Sequence, residues 1–198
     1  MKWAIAVGCS TIFLLIGFVG LRQNITGYAA SDDSSWQVLQ QEQQGMVVIM
    51  RHAEAPGTGD PPDFQLSDCS TQRNLSAAGR SQAIRIGQAF RQRNIQIARV
   101  LSSQWCRCLD TARLLNLTPV EPFALLNSFF QNQRIERQQT RALQQFIFDQ
   151  WKTQGVIILV THQVNITALT NIFPQSGEMV VLQVLPNNQT RVVGQIRI

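Results

Sequence analysis

Twice in this chain an unbroken apolar run stops at a histidine. Met46-Val47-Val48-Ile49-Met50 leads through Arg51 to His52, and Val156-Ile157-Ile158-Leu159-Val160 leads through Thr161 to His162. Runs of this length without polar alternation read as strands buried on both faces, which requires helices on both sides of a sheet. Polar residues at the carboxyl ends of such strands emerge at the sheet rim, where open α/β proteins place their ligand sites. The chain has 2 histidines in all, so imidazole chemistry is confined to these two strand ends.

The segments between the runs supply the helices. Residues 31–45 are polar and glutamine-rich (Gln37, Gln40, Gln41, Gln43, Gln44) and read as a linker, either a tether or a short exposed helix. Ala55 to Asn74 is rich in Pro, Gly and Asp and reads as a long loop beside His52, a kind of loop that is commonly functional. A helix is expected from Leu75, capped by Asn74 or Ser76, to about Asn94, with Ala83, Ile84, Gly87 and Phe90 on its apolar face. Ile97 to Ser102 reads as a strand, and the next helix carries Trp105, Leu109 and Ala112 as a stripe that leaves Arg107 to one side. A short strand near Val120, a helix over 135–151, a helix that stops by Pro174, and a hairpin of Met179–Leu185 with Arg191–Ile198 complete the pattern. Alternating strands and helices give an α/β class with a mainly parallel sheet, and 198 residues suit one domain.

The amino terminus has Lys2, then an apolar stretch from Ala4 to Leu21, then Gly27-Tyr28-Ala29-Ala30, the layout of a secretory signal. The stretch is also nearly long enough to span a bilayer, so an uncleaved membrane anchor is the alternative. The expected organisation is therefore residues 1–30 as signal or anchor, 31–45 as linker and 46–198 as the domain. Localisation is expected to be exported, periplasmic or secreted, with membrane contact only through the amino-terminal segment. Without the leader the net charge is about +3, too small and scattered to indicate a nucleic-acid partner. Cys69, Cys106 and Cys108 remain, an odd number for an oxidising compartment. One disulfide from Cys69 to Cys106 or Cys108 is expected; on a helix the last two point about 200° apart, so only one is within comfortable reach.

Neither a Gly-x-Ser-x-Gly elbow nor a Gly-x4-Gly-Lys loop is present, which removes support for serine-hydrolase and nucleoside-triphosphatase readings. Two histidines without paired carboxylates make a poor hydrolytic metal site, and no metal or other cofactor is expected. An arginine delivered by a buried strand calls for an anion, and phosphate fits its bidentate geometry. A structural salt bridge from Arg51 to Glu54 or Asp110 would be the plainer use.

Arg51-His52-Ala53-Glu54 resembles the Arg-His-Gly signature of the histidine phosphatase superfamily, with alanine in third place. Ser102-Ser103-Gln104-Trp105-Cys106-Arg107, continuing to Thr111-Ala112, is similar to the family's arginine helix, and Val160-Thr161-His162 to its second-histidine strand. Leu75-Ser76-Ala77-Ala78-Gly79-Arg80 resembles the helix start after the family's first loop, and the likeness runs from about Met46 to Ile172. It implies a phosphoglycerate-mutase-like three-layer α/β/α sandwich and a phosphatase that passes a phosphoryl group through His52 to water. On that pattern a hydrogen bond fixes the tautomer of neutral His52, and Arg51, Arg107 and His162 surround the phosphate oxygens. His162 would add its charge to a helix amino terminus. Ser102, Asn127 and Gln163 are further candidates for contact with a small phosphorylated substrate.

The chain departs from the family at the proton donor. Leu125-Leu126-Asn127 has an amide where mutase-like members have glutamate, and Gln163 stands where the acid-phosphatase branch has aspartate. A carboxylate from elsewhere could substitute, with Glu54, Asp63, Glu121 and Glu178 as candidates. Alternatively the substrate has a good leaving group, as in an acyl phosphate or phosphohistidine, or the fold only binds an anionic glycan or phosphorylated partner. With an export leader, a phosphorylated envelope sugar or a scavenged phosphomonoester is the favoured substrate. Oligomeric state has no signature in the sequence.

Overall fold

A computed structural model describes Met1, residues 32–42 and residues 44–198. The proposed signal or anchor, residues 1–30, lies outside the described residues apart from Met1. No helix among the described residues is long and apolar enough to cross a membrane.

The described chain forms one six-stranded sheet and five α-helices. The strands are β1 (Met46–Arg51), β2 (Ile97–Ser102), β3 (Val120–Pro122), β4 (Val156–Thr161), β5 (Met179–Leu185) and β6 (Gln189–Ile196). The helices are α1 (Asp32–Gln41), α2 (Ala77–Gln92), α3 (Cys106–Leu115), α4 (Glu136–Phe148) and α5 (Gln163–Thr170). Sheet order is β3-β2-β4-β1-β5-β6. The first four are mutually parallel, and β5 and β6 add an antiparallel edge, which is the mainly parallel sheet expected.

Strand periodicity explains the layering. Along β1, Val48 and Met50 face one core with Phe90 and Leu115, while Val47 and Ile49 face another with Leu143 and Ile147. All four β1 side chains are fully buried, and burying each is worth about 1.5–3 kcal/mol. Two-sided burial is why β1 and β4 carry no polar alternation.

Of the two readings of the linker, tether or short exposed helix, the helix is found, but docked rather than exposed: α1 buries Trp36 and Leu39, three residues apart, in the first core. Trp36 meets Phe90 edge-on at 4.9 Å between centroids, and Arg93 lies over the indole at 4.5 Å. The many glutamines cover its outer face and obscured this short apolar stripe.

Three smaller expectations also shift. On α2 the buried face is Ala83, Ile86, Gly87 and Phe90, and Ile84 points outward. Gly87 permits close packing, because a Cβ there would sit 1.9 Å from Leu115 O at the end of α3. On α3 the buried residues are Cys106, Arg107, Cys108, Thr111, Ala112 and Leu115; of the expected stripe Trp105 and Ala112 are buried and Leu109 is half-buried, while Arg107 is buried rather than set to one side. Strand β6 begins at Gln189, because Asn188 takes the left-handed backbone (φ 56°) that closes the hairpin early.

Candidate active site

Register brings the two histidines together. β1 and β4 are adjacent and parallel with Arg51 opposite Thr161, so the next residue of each strand, His52 and His162, leaves the sheet at the same rim. Their ring centroids are 5.6 Å apart. Both are buried and line an open cleft of about 100 Å³ together with Arg51, Asp60, Arg73 and Arg107.

His52 is held by its own turn. Its backbone N–H donates to Thr161 O at 2.9 Å, and ring Nδ1 lies 2.7 Å from Ala53 O. A carbonyl can only accept, so Nδ1 carries the proton and Nε2 keeps its lone pair. Burial first, then the Arg107 charge, pushes the imidazole pKa down to about 3, and the ring is neutral at ordinary pH. This is the tautomer-fixing hydrogen bond that the family pattern calls for.

His162 is the amino-terminal cap residue of α5. Arg107 Nη2, which can only donate, lies 3.4 Å from its Nδ1, so Nε2–H points to Ser103 Oγ at 2.8 Å. Burial and Arg107 hold its pKa well below the usual value. The expected positive charge on His162 is therefore absent from the free site. Ser103 Oγ reaches Asn127 Oδ1 at 3.3 Å, which also accepts from Gln104 N at 2.9 Å.

The loop between β1 and α2 supplies a carboxylate that sequence reasoning missed. Asp60, with its side chain 5% exposed, grips Arg107 through both oxygens: Oδ1 accepts from Nη1 at 2.7 Å and Oδ2 from Nη2 at 3.0 Å. Trp105 Nε1 donates to Oδ2 at 3.1 Å and Arg73 N to Oδ1 at 3.0 Å. Burial opposes ionisation, but the Arg107 guanidinium and the other donors outweigh it and hold the carboxyl below its ordinary value. Arg73 was missed as well. Its Nε donates to Gly59 O at 2.8 Å and its Nη1 to Ala55 O, which ties the two arms of the loop together. Arg51 donates from Nη1 to Pro174 O at 3.1 Å, and its buried Nε has no partner.

The same loop is bonded to the arginine helix. Cys69 and Cys106 form a disulfide, one of the two pairings expected, and Gln72 Oε1 accepts from Cys106 N at 2.9 Å. Cys108 is a free, buried thiol 3.5 Å from His162 Nε2, and burial pushes its pKa up to about 12.

Other sequence candidates lie elsewhere. None of the four carboxylates considered as proton donors lines the cleft. Glu54 is exposed and accepts from Ser76 Oγ. Asp63 is exposed on the outer part of the loop. Glu121 pairs with Arg99 at the sheet edge, with N–O distances of 3.0 and 2.6 Å, which keeps it ionised. Glu178 is buried but engaged by Gln175 N at 2.7 Å and Arg197 Nε at 2.9 Å. Ser102 turns from the cleft to Ser103 O, so Ser103 is the serine at the site. Asn127 stands behind Ser103, whereas Gln163 does line the cleft, with its Nε2 on Thr167 Oγ1 at 2.8 Å. Among the described residues no group of three or more His, Cys, Asp or Glu is placed to hold a metal ion.

A sequence model of the histidine phosphatase superfamily (branch 1) matches residues 47–129. No curated protein matches the chain. Solved structures with the same fold include the protein histidine phosphatase SixA complexed with tungstate. That pair is 16% identical, covers 76% of this chain and 96% of SixA, and has a TM-score of 0.55. A protein assigned as an alpha-ribazole-5'-P phosphatase from Escherichia coli gives 15%, 77%, 96% and 0.58 on the same measures. Phosphoserine phosphatase from Entamoeba histolytica, in complex with 3-phosphoglyceric acid, gives 14%, 77%, 97% and 0.54. At such identities the likeness concerns the fold. Over residues 47–129 the chain is thus similar to the histidine phosphatase superfamily, and with these solved structures it shares the fold.

Proposed function

We propose that the chain is a phosphatase that hydrolyses a phosphomonoester through a phosphohistidine intermediate on His52. The observation that carries this reading is a neutral imidazole whose Nε2 lone pair is left free, buried among three arginines and one carboxylate. That balance leaves two uncompensated positive charges, which suits a phosphate monoester in its singly or doubly charged form. In the proposed first step Nε2 attacks phosphorus in line with the leaving oxygen while Arg51, Arg73 and Arg107 neutralise the equatorial oxygens. Water then attacks phosphorus, the N–P bond breaks, and His52 returns to its neutral form.

The leaving-group side supports a sugar ester. The cleft continues along α5 into a second one, sharing Phe130, Gln163 and Val164. Phe130 is 48% exposed, and Gln133, Glu136, Gln163, Thr167 and Asn171 line the same cleft. An exposed aromatic face beside amides and a hydroxyl suits a neutral polyhydroxylated ring. The amino-terminal leader supports an exported setting, either periplasmic, secreted or anchored by that segment, and an envelope sugar phosphate or scavenged metabolite fits both observations.

A second reading is dephosphorylation of a phosphohistidine or acyl phosphate, which needs little proton donation. The Asn127 amide, with its oxygen turned to Ser103 and Gln104, favours it. A binding-only module is the third, favoured by Asp60 occupying the fork of Arg107. Purified protein with p-nitrophenyl phosphate separates the enzyme readings from the third. Turnover that disappears in His52→Ala while inorganic phosphate still binds supports catalysis; phosphate binding without turnover of any activated ester sinks it.

A further inference from the structure

We propose that Asp60 is the proton carrier of the reaction, giving a proton to the leaving oxygen and then taking one from the attacking water. The inference rests on the phosphatase reading above and fills the gap left by Asn127 and Gln163. Asp60 is the carboxylate that lines the cleft, and it grips Arg107, a residue proposed to hold the transferred phosphoryl group. Its position does not depend on that grip alone. Trp105 Nε1 holds Oδ2 and Arg73 N holds Oδ1, so the carboxyl keeps its place if Arg107 turns its hydrogens to a phosphoryl group. The loop carrying it is fixed to α3 by the Cys69–Cys106 bond and closed on itself by Arg73.

In the free site Asp60 is an anion. A phosphoryl group arriving on Arg107 changes this in two ways: it competes for the guanidinium hydrogens, and it sets a second negative charge beside the carboxylate. Both raise the proton affinity of Asp60. The ester brings the proton, because its second ionisation lies near pH 6 and part of it enters as the monoanion. That proton moves to Asp60. As the His52 Nε2–P bond forms and the P–O bond breaks, the leaving oxygen takes the proton from Asp60 and departs as an alcohol. The carboxylate is then the base that accepts a proton from water as water oxygen bonds to phosphorus and the N–P bond breaks. Protons and charges balance over the cycle.

The test compares leaving groups in Asp60→Asn. The value of kcat/KM reports only the steps through departure of the leaving group, and a nitrophenolate leaves without a proton, whereas an alkoxide does not. Asp60→Asn is expected to lower kcat/KM for an alkyl phosphate such as glycerol 2-phosphate by about 10²–10³-fold. For p-nitrophenyl phosphate the expected loss is under about tenfold. Asp60→Glu, which keeps a carboxyl, is expected to recover part of the alkyl activity. Equal losses on both esters would make Asp60 a mere clamp for Arg107 and overturn the proposal, as would no loss on either. Inhibition by inorganic phosphate shows that the variant's pocket is intact. If the asparagine variant does not fold, a steep dependence of wild-type kcat/KM on leaving-group pKa overturns the proposal, and a flat one supports it. A wild-type protein inactive on every ester removes the phosphatase reading and the proposal together, a result distinct from a failure of Asp60 alone.

Discussion

Lowering the pH from 7.5 to 5 is expected to destabilise the fold through its buried histidines. The unfolded chain takes up a proton on each imidazole near pH 6.5, whereas folded His52 resists protonation until about 3. Below 6.5 the unfolded state therefore binds more protons, and stability falls as pH falls. The stabilising contribution is fully present above 6.5. For His52 alone the loss at pH 5 is about 2 kcal/mol, from the ratio of proton binding in the two states. His162, also lowered by burial and Arg107, adds in the same direction. Asp60 contributes little in this window, because its depressed ionisation lies at lower pH. Urea denaturation followed by tryptophan fluorescence at the two pH values measures the effect. His52→Asn should reduce the pH-dependent loss by about 2 kcal/mol. An equal loss in wild type and variant, or none in wild type, would refute the neutral, buried imidazole.

Two further outcomes are expected. The Cys69–Cys106 bond closes a loop with a sequence separation of 37, which corresponds to about 4 kcal/mol in the chain-entropy account; reduction should lower the urea midpoint accordingly and weaken phosphate inhibition, and an unchanged midpoint counts against the brace. Gly87→Ala would drive a Cβ to within 1.9 Å of Leu115 O, so a loss of about 3 kcal/mol, near 10 °C in Tm, is expected by thermal melting, and a variant as stable as wild type contradicts the packing of α2 on α3.

The parts legible in the sequence are those governed by periodicity and adjacency. Uninterrupted burial marked β1 and β4, and chain order placed Arg51 and His52 together. Parallel pairing then brought His162 alongside, a convergence that two strand-end histidines already suggested. Asp60 and Arg73 were hidden for a different reason. They sit thirteen residues apart in a loop without periodicity, and only tertiary folding brings Asp60 onto Arg107, 47 residues away. The disulfide partner Cys106 lies beside Arg107, so cysteine spacing was the one available hint that this loop closes over the arginine helix. The docking of helix α1 escaped notice because a stripe of Trp36 and Leu39 is too short to stand out among glutamines.

The central claim is that phosphorus is transferred to His52. Rapid acid-free quenching of the protein during turnover of a radiolabelled phosphomonoester, followed by peptide mapping, tests it most directly. The account predicts an alkali-stable, acid-labile label on the peptide containing His52, absent from His52→Asn. Turnover with the label on another residue, or on none, would contradict it.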